Sequence, residues 1–372
     1  MVFFCCTACI KKPEKQFIES KGILIMHMAD ALISPAIGGG MWAVTAGLIT
    51  YCSSKVKNDL DDRKIPLMGV LGAFIFAAQM INFTIPATGS SGHLGGGLIL
   101  AILLGPYAAF LTLSSVLTVQ ALFFADGGLL ALGCNIFNLG FFPCFIAYPL
   151  VYKRIIGDRP GQGRLLAASL IAGVVGLQLG AFSVVMETVF SGISELPFTT
   201  FVLMMLPIHL AIGIVEGLAT AAVVVFVYKA RPEILRSAHQ SEPIGDLPMK
   251  HILGAFLVLT IMVGGTLSWF ASARPDGLEW SMAKTSGAEE LDSPDHNVHK
   301  TLLGLQKKTA FLPDYGFAAP DNTAEGSEVF ENPESWPAVN AGTSVSGIVG
   351  GALTLIIAIV IGFSLRRRKL DV

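Results

Sequence analysis

Leu94-Gly-Gly-Gly-Leu-Ile-Leu-Ala-Ile-Leu-Leu104, closed by Gly105-Pro106, is the stretch that decides the fold, because its passage through the membrane fixes the side of every later loop. It is short against a ~30 Å hydrocarbon core, so it reads as a crossing or as a broken helix lining a cavity. Around it the chain is membrane material: 53% of its 372 residues are hydrophobic and 14% charged. The mean hydropathy is +0.65, well outside the range of a soluble domain. An all-α polytopic membrane protein is predicted, and the net charge of −2 implies no nucleic-acid-binding surface.

Longer apolar segments run over 33–53, 66–82, 107–124, 129–151, 165–190, 200–229, 251–271 and 345–365. With 94–104 counted among them, the basic residues of 54–64, 152–164, 230–250 and the tail (Arg366 to Lys369) fall on one side, the cytoplasmic one. Segments 83–93, 125–128 and 191–199 contain no lysine or arginine and fall on the other. The predicted topology has the amino terminus outside and the carboxyl terminus inside. Leaving 94–104 out would place the basic 152–164 loop outside. Two units follow: a core over 26–230 and, beyond the linker 231–250 with Pro232 and Pro243, a two-helix appendage over 251–372. The appendage's outer loop, 272–344, is polar, acidic and poor in aliphatics, so little regular structure is expected in it.

Met26-His27-Met28 opens the membrane-embedded part. If translation begins at Met26, its amine, the His27 backbone nitrogen and the His27 ring nitrogen form a chelate with fused five- and six-membered rings. A fourth corner is left for a second imidazole, and His93, in the glycine-rich run Thr88 to Gly97, falls on the same side. A tetragonal nitrogen set suits Ni(II) or Cu(II) better than Mg or Ca. The large second residue would also protect the initiator methionine from removal. Residues 1–25 make a poor signal peptide, since Lys11-Lys12 follow the apolar run instead of preceding it. Lys21-Gly22 permits a purine-rich ribosome-binding sequence just ahead of the Met26 codon, so 1–25 reads as a misassigned leader and Met26 as the start. The leader's Cys5, Cys6 and Cys9 lack a fourth ligand and are assigned no function. Cys52, Cys134 and Cys144 lie in or beside apolar spans, so no disulfide framework is expected.

Other polar residues have weaker readings. Asp30, ahead of Ser34-Pro35, either supports a ligating imidazole or caps a helix. Gln79 and Asn82 end the second span, where they can hydrogen-bond the 83–93 loop. Glu187, His209 and Glu216 are ionisable groups within spans. The last two, seven residues apart, share a helical face and read as a structural hydrogen-bonding pair ahead of a proton relay or second site. Ala168, Ala172, Gly176 and Gly180 form a small-residue stripe, read as an internal packing seam ahead of a docking face. His296 and His299 are expected in a solvated loop that binds nothing.

Met26 to Pro35, Ser91 to Gly97, His209 to Gly217 and Arg274-Pro-Asp-Gly-Leu-Glu279 together resemble the fused M and N substrate-capture subunit of nickel/cobalt energy-coupling-factor transporters, over about 26–372. The resemblance implies a seven-helix binding core in a bacterial cytoplasmic membrane that holds one divalent ion. The ligands it implies are the Met26 amine, the His27 amide and imidazole nitrogens, and His93. It also implies a separate transmembrane coupling protein and cytoplasmic ATPase subunits, since the chain contains no G-x-x-x-x-G-K-[ST] phosphate loop. Ni(II) is the expected cargo and Co(II) the alternative; no catalytic residue and no resident cofactor are expected. Two rival classes are a self-sufficient secondary transporter using Glu187, His209 and Glu216, and an intramembrane metalloenzyme. The latter ranks last for want of an H-E-x-x-H motif.

Overall fold

In the computed structural model, the residues described are 26–59, 61–157, 161–194, 196–240, 249–287, 291, 296–317 and 336–366. The leader 1–25 with its cysteines, Arg159, Pro243 in the linker, the 318–335 part of the outer loop, and Arg367, Arg368 and Lys369 of the tail lie outside them. Among the described residues the chain is helical apart from one short hairpin, β1 (Phe83–Ile85) against β2 (Ser90–Gly92).

The core begins with α1 (Pro35–Asp59) and α2 (Lys64–Gln79). After the hairpin, α3 (Gly97–Leu104) is eight residues long and buried on every side. Gly105, at φ 84°, turns the chain into α4 (Pro106–Phe123), where Pro106 occupies the first turn at no hydrogen-bonding cost. The deciding stretch is thus a short, broken helix within the bundle, entered from the irregular residues 93–96. α5 (Leu132–Ile136) continues without a break through a π-helical run, Phe137–Tyr152, into α6 (Lys153–Ile156). Pro143 and Pro149 lie inside the widened run, where they remove two backbone donors. α7 (Gln162–Ser191) and α8 (Phe198–Ala230) form the most extensive helix pair. Gly173 packs there against the backbone of Gly213 and Gly217. The Ala168 to Gly180 stripe is buried, with Gly176 and Gly180 against Ala147, Pro143 and the Asn138 carbonyl, which makes it an internal seam. α9 (Pro232–Gln240) follows α8 and lies against the end of α3.

In the appendage, α10 (Lys250–Gly265) and α13 (Ala341–Leu365) both pack on α2 of the core. Gly264 and Gly347 bring their two backbones together, and the Phe76 ring fills the space at Gly350 where a Cβ would stand. The segment between them carries more regular structure than its composition suggests: α11 (Gly277–Ser286) and α12 (Asn297–Thr309). α11 is nucleated by a capping box. The Asp276 carboxylate accepts from Leu278 N and Glu279 N at 2.9 Å, and the Glu279 carboxylate accepts from Asp276 N at 3.3 Å.

Among the described residues five helices are long and apolar enough to cross a membrane: α4, the continuous Leu132–Ile156, α7, α8 and α13; α2 and α10 are shorter apolar helices. The protein is an all-α, multi-pass membrane protein. Its basic loops share one end of the bundle. Lys55, Lys64 and Lys153 line one cleft with Gly105, the Lys153 ammonium donates to the His239 carbonyl at 2.7 Å, and Arg366 pairs with Asp62 at 2.6 Å. The opposite end gathers the hairpin, the 124–131 turn and the described parts of the appendage between 272 and 317, tied by Ser272 N to the Asn82 carbonyl at 2.7 Å and Ser91 N to the Pro275 carbonyl at 2.8 Å.

Candidate metal centre

The start of the described chain is tucked into the core at that end. Met26, His27 and Met28 are all buried. Gly128 N donates to the Met28 carbonyl at 3.0 Å. Asn135 takes both groups of the same residue: its Oδ1 accepts from Met28 N at 3.1 Å and its Nδ2 donates to Met28 O at 3.1 Å. The two glycines of Ala125-Asp-Gly-Gly128 make room for this. A Cβ on Gly127, whose φ is 81°, would come within 2.8 Å of the His27 Cβ, and one on Gly128 would overlap the Asp30 carboxylate.

Around this segment the predicted donors converge. The His27 and His93 rings lie with centroids 5.2 Å apart, although 65 residues separate them in the chain. Met26 N donates to Asp126 Oδ1 at 2.9 Å, and His27 Nδ1 lies 3.0 Å from Asp126 Oδ2. His93 Nε2 sits 2.8 Å from the Met26 carbonyl and 3.7 Å from Asp276 Oδ2, while its Nδ1 sits 3.2 Å from the Leu94 carbonyl. The His27 ring is buried, with Asp126 beside its Nδ1 and no partner at its Nε2. Among the described residues no three His, Cys, Asp or Glu side chains form a ready-made metal site. A set built partly of backbone nitrogens would not register as one.

The electrostatics separate the two imidazoles. Burial disfavours the His27 imidazolium, but the charge and proximity of Asp126, helped by Asp276, hold it above its ordinary 6.5. Burial and then the charge of His27 push His93 down to about 4, so it is the neutral ring. Burial favours a proton on Asp126, but His27 and the Tyr315 hydroxyl outweigh it and hold the carboxyl below its ordinary 3.8. Asp276, with less compensation for burial, is pushed up to about 7. One neutral imidazole, one imidazole paired with a carboxylate and a second, partly protonated carboxyl thus meet at this point, nitrogen and oxygen atoms being donor types that divalent transition metals accept.

The glycine run that carries His93 is itself pinned. Glu216 accepts from Gly95 N at 2.9 Å and Gly96 N at 3.0 Å, and Gln79 Nε2 donates to the Gly95 carbonyl at 2.9 Å. Asn82 is buried and meets the appendage through its carbonyl. His209 and Glu216 are not bonded to each other. His209 Nδ1 donates to the Met205 carbonyl of its own helix at 2.8 Å, and both residues line a cavity of about 80 Å³ behind His93. The pair predicted from their spacing is therefore corrected: each found a nearer partner. Glu187 accepts from Asn138 Nδ2 at 2.8 Å and from the Ser183 hydroxyl at 3.3 Å. Asp30 accepts from Ala131 N at 2.9 Å and does not reach the His27 ring, which belongs to Asp126. His299 is also corrected, from solvated to buried: its Nε2 lies 3.2 and 3.0 Å from the Asp30 and Ile33 carbonyls, and only His296 is exposed.

Asp126, Asn135, Asp276 and Tyr315 escaped the reading of the sequence. Asp126 stands as a lone acid in an otherwise apolar turn between two spans, and Asp276 starts a Pro-Asp-Gly-Leu-Glu capping box. Both are visible signals. Nothing in the sequence marks Tyr315.

Residues 27–234 match the family described as the cobalt uptake substrate-specific transmembrane region, CbiM, and residues 250–367 match the PDGLE domain. A putative fused nickel transport protein NikMN of Archaeoglobus fulgidus is 32% identical, covering 92% of this chain and 98% of its own length. The fused nickel transport protein NikMN of Rhodobacter capsulatus is 29% identical over 81% of this chain and 91% of its own. The cobalt transport protein CbiM of Geobacter sulfurreducens is 27% identical over 56% of this chain and 61% of its own. A crystal structure described as a transition metal transporter superposes with a TM-score of 0.50 at 31% identity, covering 56% of this chain and 94% of that one. With its core and appendage matched in the same order as the full-length relatives, the chain belongs to the CbiM family and carries a PDGLE domain fused behind the CbiM region.

Proposed function

We propose that this chain captures Ni(II) as the substrate-binding subunit of an ATP-driven energy-coupling-factor transporter, with Co(II) the alternative cargo of the same site. The observation that carries the reading is the burial of Met26, His27 and His93 together, with His93 against the Met26 carbonyl and the two imidazoles 5.2 Å apart, in a chain whose relatives are named for nickel and cobalt transport. The donors are the Met26 amine of a chain starting there, the His27 amide and ring nitrogens, and His93 Nε2. Without metal, His93 Nε2 donates to the Met26 carbonyl at 2.8 Å; moving the proton to Nδ1, which faces the Leu94 carbonyl at 3.2 Å, frees the Nε2 lone pair for the metal. Four nitrogens favour nickel, whereas an octahedral shell drawing on the carboxylates would favour cobalt. The positive-inside rule turns the basic end to the cytoplasm and the metal centre outward, in a bacterial cytoplasmic membrane. A transmembrane coupling protein and cytoplasmic ATPases supply the energy, since the chain has no phosphate loop of its own. Glu187 and Glu216 are engaged by Asn138 and by two backbone N–H groups, which argues against their carrying ions in a self-sufficient transporter.

Calorimetry with Ni(II) and Co(II) on protein beginning at Met26, against His27→Ala, His93→Ala and a form one residue longer, tests the reading. Each of the three is expected to lose more than about 100-fold in affinity, beyond what an orienting partner alone contributes. Equal binding by the longer form would remove the amine from the ligand set, and equal binding by His93→Ala would overturn the site.

A further inference from the structure

Tyr315 belongs to the appendage, yet its hydroxyl reaches the metal centre of the core and donates to Asp126 Oδ2 at 2.6 Å. It is delivered there by an unusual turn: Asp314 (φ 51°) and Tyr315 (φ 56°) are successive non-glycine residues in the left-handed region, which side chains bearing a Cβ disfavour. The surroundings hold the turn in place. Leu312 N donates to the Phe123 carbonyl at 3.3 Å and Asp314 N to the Phe124 carbonyl at 2.9 Å, and the Tyr315 ring stacks on Phe124 at 5.1 Å and 18°. Asp126 is approached from a second non-glycine in the same region, Ala125 at φ 57°. Both sides of the contact thus adopt disfavoured backbone to bring a phenol onto one carboxylate.

That carboxylate is the common anchor of the amino-terminal segment. Its Oδ1 accepts from Met26 N and its Oδ2 faces His27 Nδ1. Tyr315 is therefore the third group on the same two oxygens, and it comes from the other unit of the chain. Packing alone would call for an aromatic ring at this position and no hydroxyl, and this difference can be tested.

We propose that Tyr315 is a positioning residue for metal capture, through which the appendage orients the Asp126 carboxylate and with it the Met26 nitrogen, which keeps an N–H for Asp126 when it binds metal, whereas His27 Nδ1 exchanges Asp126 for the metal. The proposal rests on the reading of Met26, His27 and His93 as the metal-binding set. Without the phenol, Asp126 is free to rotate, and the Met26 nitrogen loses a fixed partner while the ring packing survives.

The test uses the full chain titrated with NiCl2 by calorimetry, with the visible absorption of bound Ni(II) and the metal-free melting temperature recorded alongside. Wild type is compared with Tyr315→Phe, Asp126→Asn, the double variant and His93→Ala. Tyr315→Phe is expected to lose about 10- to 100-fold in affinity and to shift the ligand-field band, with a melting temperature near that of wild type. A merely structural tyrosine would move the melting temperature and leave the band in place. The double variant is expected to bind no more weakly than Asp126→Asn, because the two residues act along one path. Wild-type affinity and spectrum in Tyr315→Phe would overturn the proposal. So would undiminished affinity in Asp126→Asn, which decides the matter even if the phenylalanine variant does not fold. If wild type takes up no Ni(II), or His93→Ala binds as wild type does, the metal reading itself fails and the proposal with it, a pattern distinct from a normal wild type beside an unaffected Tyr315→Phe.

Discussion

Gly128 shows how narrow the tolerances around the candidate metal centre are. A methyl group there would overlap the Asp30 carboxylate and crowd the Asp30 backbone, and neither can retreat, because Ala131 N and Gly128 N hold the segment on both sides. Gly128→Ala is expected to cost about 1–3 kcal/mol and to weaken Ni(II) binding, read by melting temperature and calorimetry; an unchanged protein by both would show the segment to be loosely held. Asp30 itself makes a pH-dependent contribution. Burial holds its carboxyl above the ordinary 3.8, against hydrogen bonds from Ala131 and Leu130 and the nearby His299. The folded state therefore favours the protonated form. That contribution is full below 3.8 and is lost as pH rises through the raised value. Asp30→Asn keeps an acceptor for Ala131 but does not titrate, so its melting temperature relative to wild type should rise as the pH is raised above 3.8. A difference that stays constant or falls would contradict the assignment.

At the scale of elements, the glycine run beside His93 has almost no side chains with which to hold itself and is held from outside by α8 and α2. Glu216→Gln leaves one acceptor for two backbone N–H groups and turns an amide against them, at a cost of about 1–3 kcal/mol. Both the melting temperature and the Ni(II) affinity are expected to fall, since Gly95 lies two residues after His93; unchanged affinity would uncouple α8 from the site. The helices themselves were legible because apolar runs and basic loops are local properties of a sequence. The nearness of His27 and His93 followed from the side assigned to their two loops. Asp126 and Asp276 stood out as single residues, but their partners did not, and Tyr315 did not at all: Asp126 lies 100 residues from Met26 and 189 from Tyr315. The same limit explains His209 and Glu216. Helical periodicity puts them on one face, but competing acceptors and donors from other elements decided their bonds.

On the scale of the whole molecule, the core and the appendage are joined by much more than the linker. α10 and α13 pack on α2, and Gln306 of α12 donates to the Ala121 and Gly127 carbonyls at 2.9 and 2.7 Å. Cutting the chain with a protease at a site engineered into 241–248 should therefore leave the two pieces together in mild detergent, with Ni(II) affinity retained. Separation on size-exclusion chromatography would show that the covalent connection was holding them. The glycine seam between Gly264 and Gly347 and the ring seated at Gly350 carry one more implication. Lipid tails are as oily as leucine, so a join made by backbone meeting backbone owes its strength to shape, not to expulsion from the surrounding solvent. Such a join should tolerate bilayers of different thickness or headgroup, yet yield to a single added methyl that wedges the two backbones apart.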